Sequence, residues 1–317
     1  MAFLDFQQDL IDKKKLIVIT GPTASGKTAA AIELSKYLDL EVISADSRQC
    51  YKYLDIGTAK PTMEELDRVK HHFIDIIEPD EYFSAGLFGN QAREVAISIF
   101  EKNKLPVVVG GSGLYIQSLC EGLFAEDFDK NNFDIRQNLE LRLKSEGIDQ
   151  LYEELKNIDK ESAELYLDKN PRRIIRALEF FYQTGKPISM SKKKSEILLF
   201  GSIYFGISIE REILYHIINK RAEFMWNNGL IEETQKVLDL GFSKDLNSLN
   251  TVGYKECIEY LNKNLNKEEA LNLTQQNTRR YAKRQMTWFK KSPKINWISG
   301  NTEEIAKCIL KSTSSLI

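Results

Sequence analysis

The sequence predicts an α/β protein, a parallel sheet flanked by helices and interrupted by a helical insertion. Three observations carry this expectation. Short β-branched runs alternate with helical stretches through the first 110 residues. A glycine-rich turn joins the first strand to the first helix. After about residue 120 the chain turns polar and mostly helical. Strands alternating with helices imply a parallel sheet with its functional groups at the strand carboxyl ends. With 317 residues, 42% apolar and 28% charged, the chain has room for two ordinary globular domains.

The elements follow in order. Leu16–Thr20 is a β-branched strand, and Lys27–Leu38 a helix. Glu41–Ser44 is the second strand, followed by Ala45 and Asp46. His72–Ile77 is the third, ending at Pro79. A helix near Gln91–Glu101 precedes the strand Leu105–Val109. Residues 125–134 form a polar, turn-rich connection to helices over Arg136–Glu146, Ile148–Lys156 and Pro171–Thr184. Asn170 reads as the N-cap of the last of these, with Pro171 in its first turn. A second linker, 185–197, carries three consecutive lysines and leads into the apolar run Leu198–Ile207, a further strand. From Ile209 the chain is helical to about Leu240, and again in a stretch ending near Lys291. The expected domains are a core of 1–123 with 197–317, including the C-terminal helices, and a helical insertion of 124–196. There is no internal repeat or low-complexity tract.

Composition excludes several classes. The formal charge of −2 gives no global field toward nucleic acid or membrane, so any RNA contact must be local. No apolar run approaches the ~20 residues of a spanning helix. The opening MAFLDFQQDLIDKKK is acidic and polar before it is basic, the wrong order for a secretory signal. Cys50, Cys120, Cys257 and Cys308 are scattered without CxxC spacing. With only His71, His72 and His216 beside them, they read as reduced cytosolic thiols rather than a zinc site.

Gly21, Pro22, Thr23, Ala24, Ser25, Gly26, Lys27 and Thr28 fit G-x-x-x-x-G-K-[ST] between a strand and a helix, which makes the core P-loop NTPase-like. The glycines let backbone N–H groups converge on phosphate oxygens, and the helix N-terminus adds its positive dipole end. Lys27 supplies a point charge, and the Thr28 hydroxyl can ligate Mg²⁺. The later strand Leu105–Val109 ends in Gly110-Gly111-Ser112-Gly113, without the acid an ATPase places there. The ligand can therefore be a diphosphate whose departure drives something other than hydrolysis.

Asp46 falls where the second strand ends, beside the phosphate loop. It reads equally as a general base or metal ligand and as a helix N-cap. Arg221 lies four residues after Ile217 and three before Phe224, on or beside a stripe of Ile213, Leu214, Ile217, Phe224 and Met225. A guanidinium there needs an anion, and periodicity favours a structural ion pair over a bound diphosphate. Arg172, Arg173 and Arg176 share a helix. Thr278–Lys291, TRRYAKRQMTWFKK, holds six cations, no acid, and Tyr281, Trp288 and Phe289. Such a segment fits RNA phosphates and bases, although a solvated face with inward aromatics is the commoner case.

Together these segments resemble the tRNA dimethylallyltransferase (tRNA isopentenyltransferase) family. GPTASGKT, DSRQCYKYLDIGTAKP, HHFIDIIEP, GGSGLYIQSL, NPRRIIRALEFFYQTGKP, RAEFMWNNGLIEE, TVGYKE and RRYAKRQMTWF match in order, from Gly21 to Phe289. A P-loop alone is widely shared; DSxQ…DIGTAKP with GGSGLY is specific. Cys50 stands where an aliphatic residue is more usual, and Ser112 where threonine is frequent. No zinc-finger extension like that of eukaryotic relatives follows, so the chain resembles the bacterial form.

The resemblance implies transfer of a dimethylallyl group from dimethylallyl diphosphate to N6 of the adenosine 3′ of the tRNA anticodon. Asp46 then matches the base, residues 21–28 the diphosphate cradle with Lys27 and Thr28 at the diphosphate and Mg²⁺, and Arg221 the clamp on the leaving group. The matched tRNA contacts are Asp46, Ser47, Arg48, Gln49, Ser112, Arg136, Arg172, Arg173, Ile174, Ile175, Arg176, Thr251, Val252, Gly253, Tyr254, Lys255 and Glu256. A cytoplasmic monomer with no membrane partner is implied. The alternatives are a small-molecule kinase with Asp46 as base, and a non-catalytic RNA-binding protein with a degenerate P-loop.

Overall fold

The computed structural model describes residues 2–122, 133–191 and 200–314. The chain divides into two compact units, Met1–Glu121 with Leu198–Ile317, and Gly122–Ile197. In the first unit, helix α1 (Ala2–Asp12) leads into β1 (Lys15–Thr20), α2 (Lys27–Leu34), β2 (Leu40–Ser44), α3 (Met63–Arg68) and β3 (His71–His72). Then come α4 (Ala85–Glu101), β4 (Leu105–Gly110), α5 (Gly113–Gln117) and a π-helical turn, Ser118–Gly122, whose last residue begins the second unit. The second unit is helical: α6 (Phe133–Glu146), α7 (Ile148–Ile158), α8 (Lys160–Leu165), α9 (Pro171–Thr184) and α10 (Ile188–Ser191). The first unit resumes with β5 (Gly201–Ile207), α11 (Arg211–Asn227), α12 (Leu230–Asp239), α13 (Tyr254–Leu261), α14 (Lys267–Phe289), β6 (Ile295–Ile298) and α15 (Thr302–Ser314).

The six strands form one sheet in the order β3-β2-β4-β1-β5-β6, all pairs parallel. Both faces of β1 are covered, as a wholly parallel sheet requires. Ile17 and Ile19 face one apolar cluster with Ala30 and Leu34 of α2 and Ile305 and Ile309 of α15. Leu16 and Val18 face the other, with Phe88, Ala92, Ala96 and Ile99 of α4. The helical unit closes on its own cluster, which includes Leu139, Leu151, Leu155, Ile174, Leu178 and Phe180.

Several expected bounds change for identifiable reasons. The third strand is only His71–His72, because Phe73 and Asp75 adopt positive φ (67° and 54°). The following N–H groups of Asp75 and Ile76 bond to the carbonyls of Gln49 and Cys50 instead of a ladder. The first long helix stops at Leu34, where the Ser35 hydroxyl turns back onto the Ile32 carbonyl. The helix expected from Ile209 to Leu240 is two helices, broken at Gly229 with φ 107°. The further strand begins at Gly201; Leu198 and Leu199, most of the first expected linker and residues 192–197 of the second lie outside the described residues, and α10 falls within the second. Elements that were not anticipated include α1, β6 and α15.

Candidate functional site

The phosphate loop is assembled at the carboxyl end of β1. Gly21 (φ 143°) passes so close to β5 that a Cβ would meet the Ile207 carbonyl oxygen at 3.0 Å. Ala24 and Gly26 take left-handed φ values of 65° and 81°, and Gly26 opens α2. Inside the loop, Lys27 Nζ folds back to donate to the Pro22 carbonyl at 2.7 Å. Burial pushes the Lys27 pKa down to about 8; the Asp46 carboxylate opposes that fall, and the Arg221 guanidinium adds to it. Ser25 Oγ is buried and has no hydrogen-bond partner among the described residues. A buried cation and an unpartnered hydroxyl in one loop suit the binding of an anion.

Arg221 comes to this loop from α11, donating to Thr23 Oγ1. Its helix corrects the sequence stripe by one position. The buried seam is Leu214, Ile218, Ala222 and Trp226, whereas Ile213, Ile217 and Phe224 are exposed. Arg221 therefore flanks the seam, and its charge is disfavoured first by burial and relieved by Asp46. Among the described residues no carboxylate forms an ion pair with it, so the structural salt bridge favoured by periodicity does not occur.

Asp46 follows β2, and neither of its two sequence readings is complete. Its Oδ1 accepts from the N–H of Arg48 at 2.9 Å and of Gln49 at 3.4 Å, so it caps a turn, not a helix. The same carboxylate acts electrostatically on both Lys27 and Arg221. Gln49 is fixed from two sides: Ser44 Oγ donates to its Oε1, and its Nε2 donates to the carbonyls of Thr58 and Ala59. Arg48 reaches the Asn247 carbonyl at 2.7 Å. The neighbouring Cys50 thiol is pushed up to about 12 by burial and then by Asp46, so it is not a nucleophile. Residues 23–29, Asp46, Gln49 and Arg221 line one cavity of about 250 Å³, whose wall also includes Val42, Ser44, Pro61, Glu65 and His71.

The Gly110–Gly113 run proves to be a packing requirement. A Cβ on Gly110 would lie 2.1 Å from the Ala45 carbonyl oxygen, one on Gly111 2.1 Å from Gln285 Nε2, and one on Gly113 2.0 Å from Trp288 Nε1. Gln285 of α14 is the residue sequence reasoning missed. It accepts from the Thr23 N–H at 2.7 Å and donates to the Gly111 carbonyl at 2.9 Å, tying the phosphate loop to the loop after β4. Its signal was a lone amide in a cationic segment, which no local rule separates from a surface residue. The aromatics of that segment divide. Phe289 is buried, Trp288 is exposed, and Tyr281 is half-buried with the Arg284 guanidinium 5.7 Å from its ring centre.

Other expected contact residues separate by exposure. Ser112 is half-buried at the start of α5 and makes no side-chain cap. Thr251 and Val252 are half-buried and Lys255 is exposed. Tyr254 is wholly buried, and the carboxylate of Glu256 is taken up by the Gly253 N–H and Asn277. Gly253 is likewise buried. In the helical unit, Arg172 and Arg173 are exposed on α9, while Arg176 and Arg136 both reach Glu179, at 3.3 Å and 3.5 Å. Ile174 and Ile175 are buried in that unit's own core, so their side chains present nothing to a partner.

Among the described residues there is no group of three or more His, Cys, Asp or Glu arranged to hold a metal ion, and no helix is long and apolar enough to cross a membrane.

Residues 49–292 match the family described as IPP transferase. The chain is 42% identical over 305 residues to the tRNA dimethylallyltransferase of Thermoanaerobacter sp. (strain X514), covering 94% of this chain and 96% of that protein. It is 43% identical over 298 residues to that of Acetivibrio thermocellus, covering 93% and 95%. Among solved structures it resembles the full-length tRNA isopentenylpyrophosphate transferase of Bacillus halodurans, with TM-score 0.69 and 39% identity over 96% of this chain and 99% of that one. A eukaryotic dimethylallyltransferase acting on tRNA aligns with TM-score 0.76 and 26% identity, over 90% and 74% of the two chains.

Proposed function

The chain belongs to the IPP transferase family, and we propose that it transfers the dimethylallyl group of dimethylallyl diphosphate to N6 of the adenosine 3′ of the tRNA anticodon. The observation that carries the assignment of roles is one cavity holding opposite charges. Lys27 and Arg221 sit on its phosphate-loop side, and the Asp46 carboxylate acts on both. In the step, the N6 lone pair forms a bond to C1 of the donor as the C1–O bond breaks, and its electron pair leaves with the diphosphate. The N6 proton passes to Asp46. An exocyclic amine is a poor nucleophile because its lone pair is delocalised, so a positioned carboxylate contributes roughly 10²–10⁴-fold. Lys27, Arg221, the Ser25 hydroxyl and the loop N–H groups stabilise the charge that grows on the departing diphosphate.

Mg²⁺ fits this site as a substrate-borne ion. Thr28 and Asp46 would hold it, among other oxygen-bearing side chains of the cavity such as Ser44 and Glu65, and the donor's diphosphate oxygens and water would supply its remaining ligands. Bound there, it would offset diphosphate charge. An adenosine stacked in an anticodon loop is out of reach, so it must be flipped out to meet Asp46. Ser47, Arg48, Gln49, Ser112, Thr251 and Lys255 are the residues we assign to the RNA near the core, and Arg136, Arg172, Arg173 and Arg176 to its backbone. The same reading takes the protein as a monomer that works in the cytoplasm, where its tRNA substrate is.

The test is incubation with labelled dimethylallyl diphosphate and unmodified tRNA. Label should enter tRNA, ATP should not substitute, and Asp46→Ala should abolish transfer while tRNA affinity stays within a few-fold. ATP turnover stimulated by tRNA would restore the kinase reading. Near-normal single-turnover rates in Asp46→Ala would remove the base assignment.

A further inference from the structure

The loop Asp55–Gly57 sits over a carboxylate that none of the roles above uses. Glu233, in the first turn of α12, accepts from three consecutive backbone N–H groups. Oε2 takes Asp55 at 3.1 Å and Ile56 at 2.9 Å, and Oε1 takes Ile56 at 3.1 Å and Gly57 at 3.2 Å. The Tyr254 hydroxyl donates to Glu233 Oε1 as well, and itself accepts from the Gly57 N–H at 3.1 Å. Gly57 is obligatory in this arrangement, since a Cβ would lie 2.4 Å from the Tyr254 ring. Tyr254 is wholly buried; burial and the Glu233 charge keep its phenol protonated and donating.

This anchor has a route to the chemistry. The next two residues of the loop, Thr58 and Ala59, present the carbonyls that hold the Gln49 amide, and Gln49 accepts from Ser44 Oγ. The Gln49 N–H and the Arg48 N–H in turn hold Asp46 Oδ1. Three N–H groups gathered on one carboxylate make a small anion nest with its anion built in. Each such charge-assisted bond is stronger than a neutral one.

We infer that Glu233, seconded by Tyr254, is a positioning residue for transfer, fixing loop 55–59 and through it Gln49 and the Asp46 carboxylate. The inference rests on Asp46 being the base. It does not involve the phosphate loop, whose partners are Gln285, Arg221 and its own backbone.

That separation supplies the experiment. Glu233→Gln keeps shape but offers one carbonyl oxygen and turns an amide donor toward backbone donors. Single-turnover and steady-state transfer are measured together with inorganic pyrophosphate binding and the melting temperature. Displacing a reacting group by about 1 Å costs up to ~10²-fold, so kcat should fall by about 10- to 100-fold. Pyrophosphate affinity should stay within about threefold, because the phosphate loop keeps its own partners, while tRNA KM rises by at most a few-fold through the loosened Gln49. Glu233→Asp, with its charge retained, should recover part of the rate. Tyr254→Phe, which deletes only the O–H, should lower kcat by a smaller factor and serves if Glu233→Gln does not fold. Unchanged kcat in Glu233→Gln, or in Tyr254→Phe where that stands in, overturns the proposal, as does a loss matched by lost pyrophosphate binding. Asp46→Ala run alongside separates the failures: activity surviving that change removes the base, whereas activity surviving only the Glu233 change removes the positioning role.

Discussion

Arg221 and Arg173 each sit beside apolar neighbours on a helix, and each is a cation to which the family resemblance gives a role, but their settings are opposite. Arg221 on α11 is drawn against the phosphate loop, bonded to Thr23 Oγ1, with burial working against its charge. Arg173 on α9 has its guanidinium in solvent, 3.9 Å from Asp168 and 5.8 Å from the Tyr166 ring centre. Lys27 belongs with Arg221, since burial lowers its pKa to about 8. The difference teaches what each charge is for. A desolvated cation gains most when negative charge grows beside it. A hydrated cation gains mainly by releasing counterions from a polyanion, a modest amount that salt removes.

The comparison breaks most readily at Arg221. Arg221→Ala should lower kcat by ~10²–10³-fold, the scale of one lost transition-state donor, with some loss of donor affinity. Titrating tRNA and donor on the variant checks this; a change in tRNA KM alone would move Arg221 out of the buried class.

Lys27 gives the next effect, through pH. A diphosphate bound beside Lys27 would raise its pKa above the value of about 8 that burial sets. Its contribution to binding is then complete well below pH 8 and is lost as pH climbs above it, by up to about tenfold per unit. Calorimetry with pyrophosphate from about pH 6.5 to about pH 9.5 should show this fall relative to Lys27→Arg, whose guanidinium does not titrate there. Parallel curves for the two proteins would count against a titrating lysine at the anion.

The exposed class predicts the smallest change. Arg173→Ala should raise tRNA KM a few-fold and reduce the log–log salt slope by about one, with kcat at saturating tRNA nearly intact. A drop in kcat alone would show that exposure does not separate the two roles.

What was legible in the sequence tracks how local the cause is. The phosphate loop is visible because eight consecutive residues must alternate backbone permission and charge, and the structure places them between β1 and α2 as the motif requires. The paired strands β1, β2 and β4 are visible because burial on both faces demands unbroken apolar runs. Helix α11 was legible as a helix but not in phase: Ile213, Ile217 and Phe224 are apolar and exposed, so two overlapping stripes compete. Only packing of Leu214, Ile218 and Ala282 decides between them. Gln285 and Glu233 were illegible because their partners lie 262 and 177 residues away, at Thr23 and Ile56. Residue type at such separations carries no pattern. Gly111 and Gly57 mark their counterparts only once those side chains are seen filling the missing Cβ.

The order of strands in space also has a consequence for birth on the ribosome. β1 lies between β4 and β5, and its register with β5 begins at Lys15 opposite Gly201. A nascent chain can pair β1 with β4 once residue 110 has emerged, but the other edge of β1 stays open until β5 is made, about 100 residues later. At ~5–20 residues per second that is roughly 5–20 seconds in which an apolar strand offers unpaired N–H and C=O groups to any passing chain. The helical unit is translated during that interval and has its own apolar cluster to close on. Premature termination beyond it would therefore release a folded helical unit joined to a half-built sheet. Such a fragment should be a stronger client for chaperones than one cut before β1.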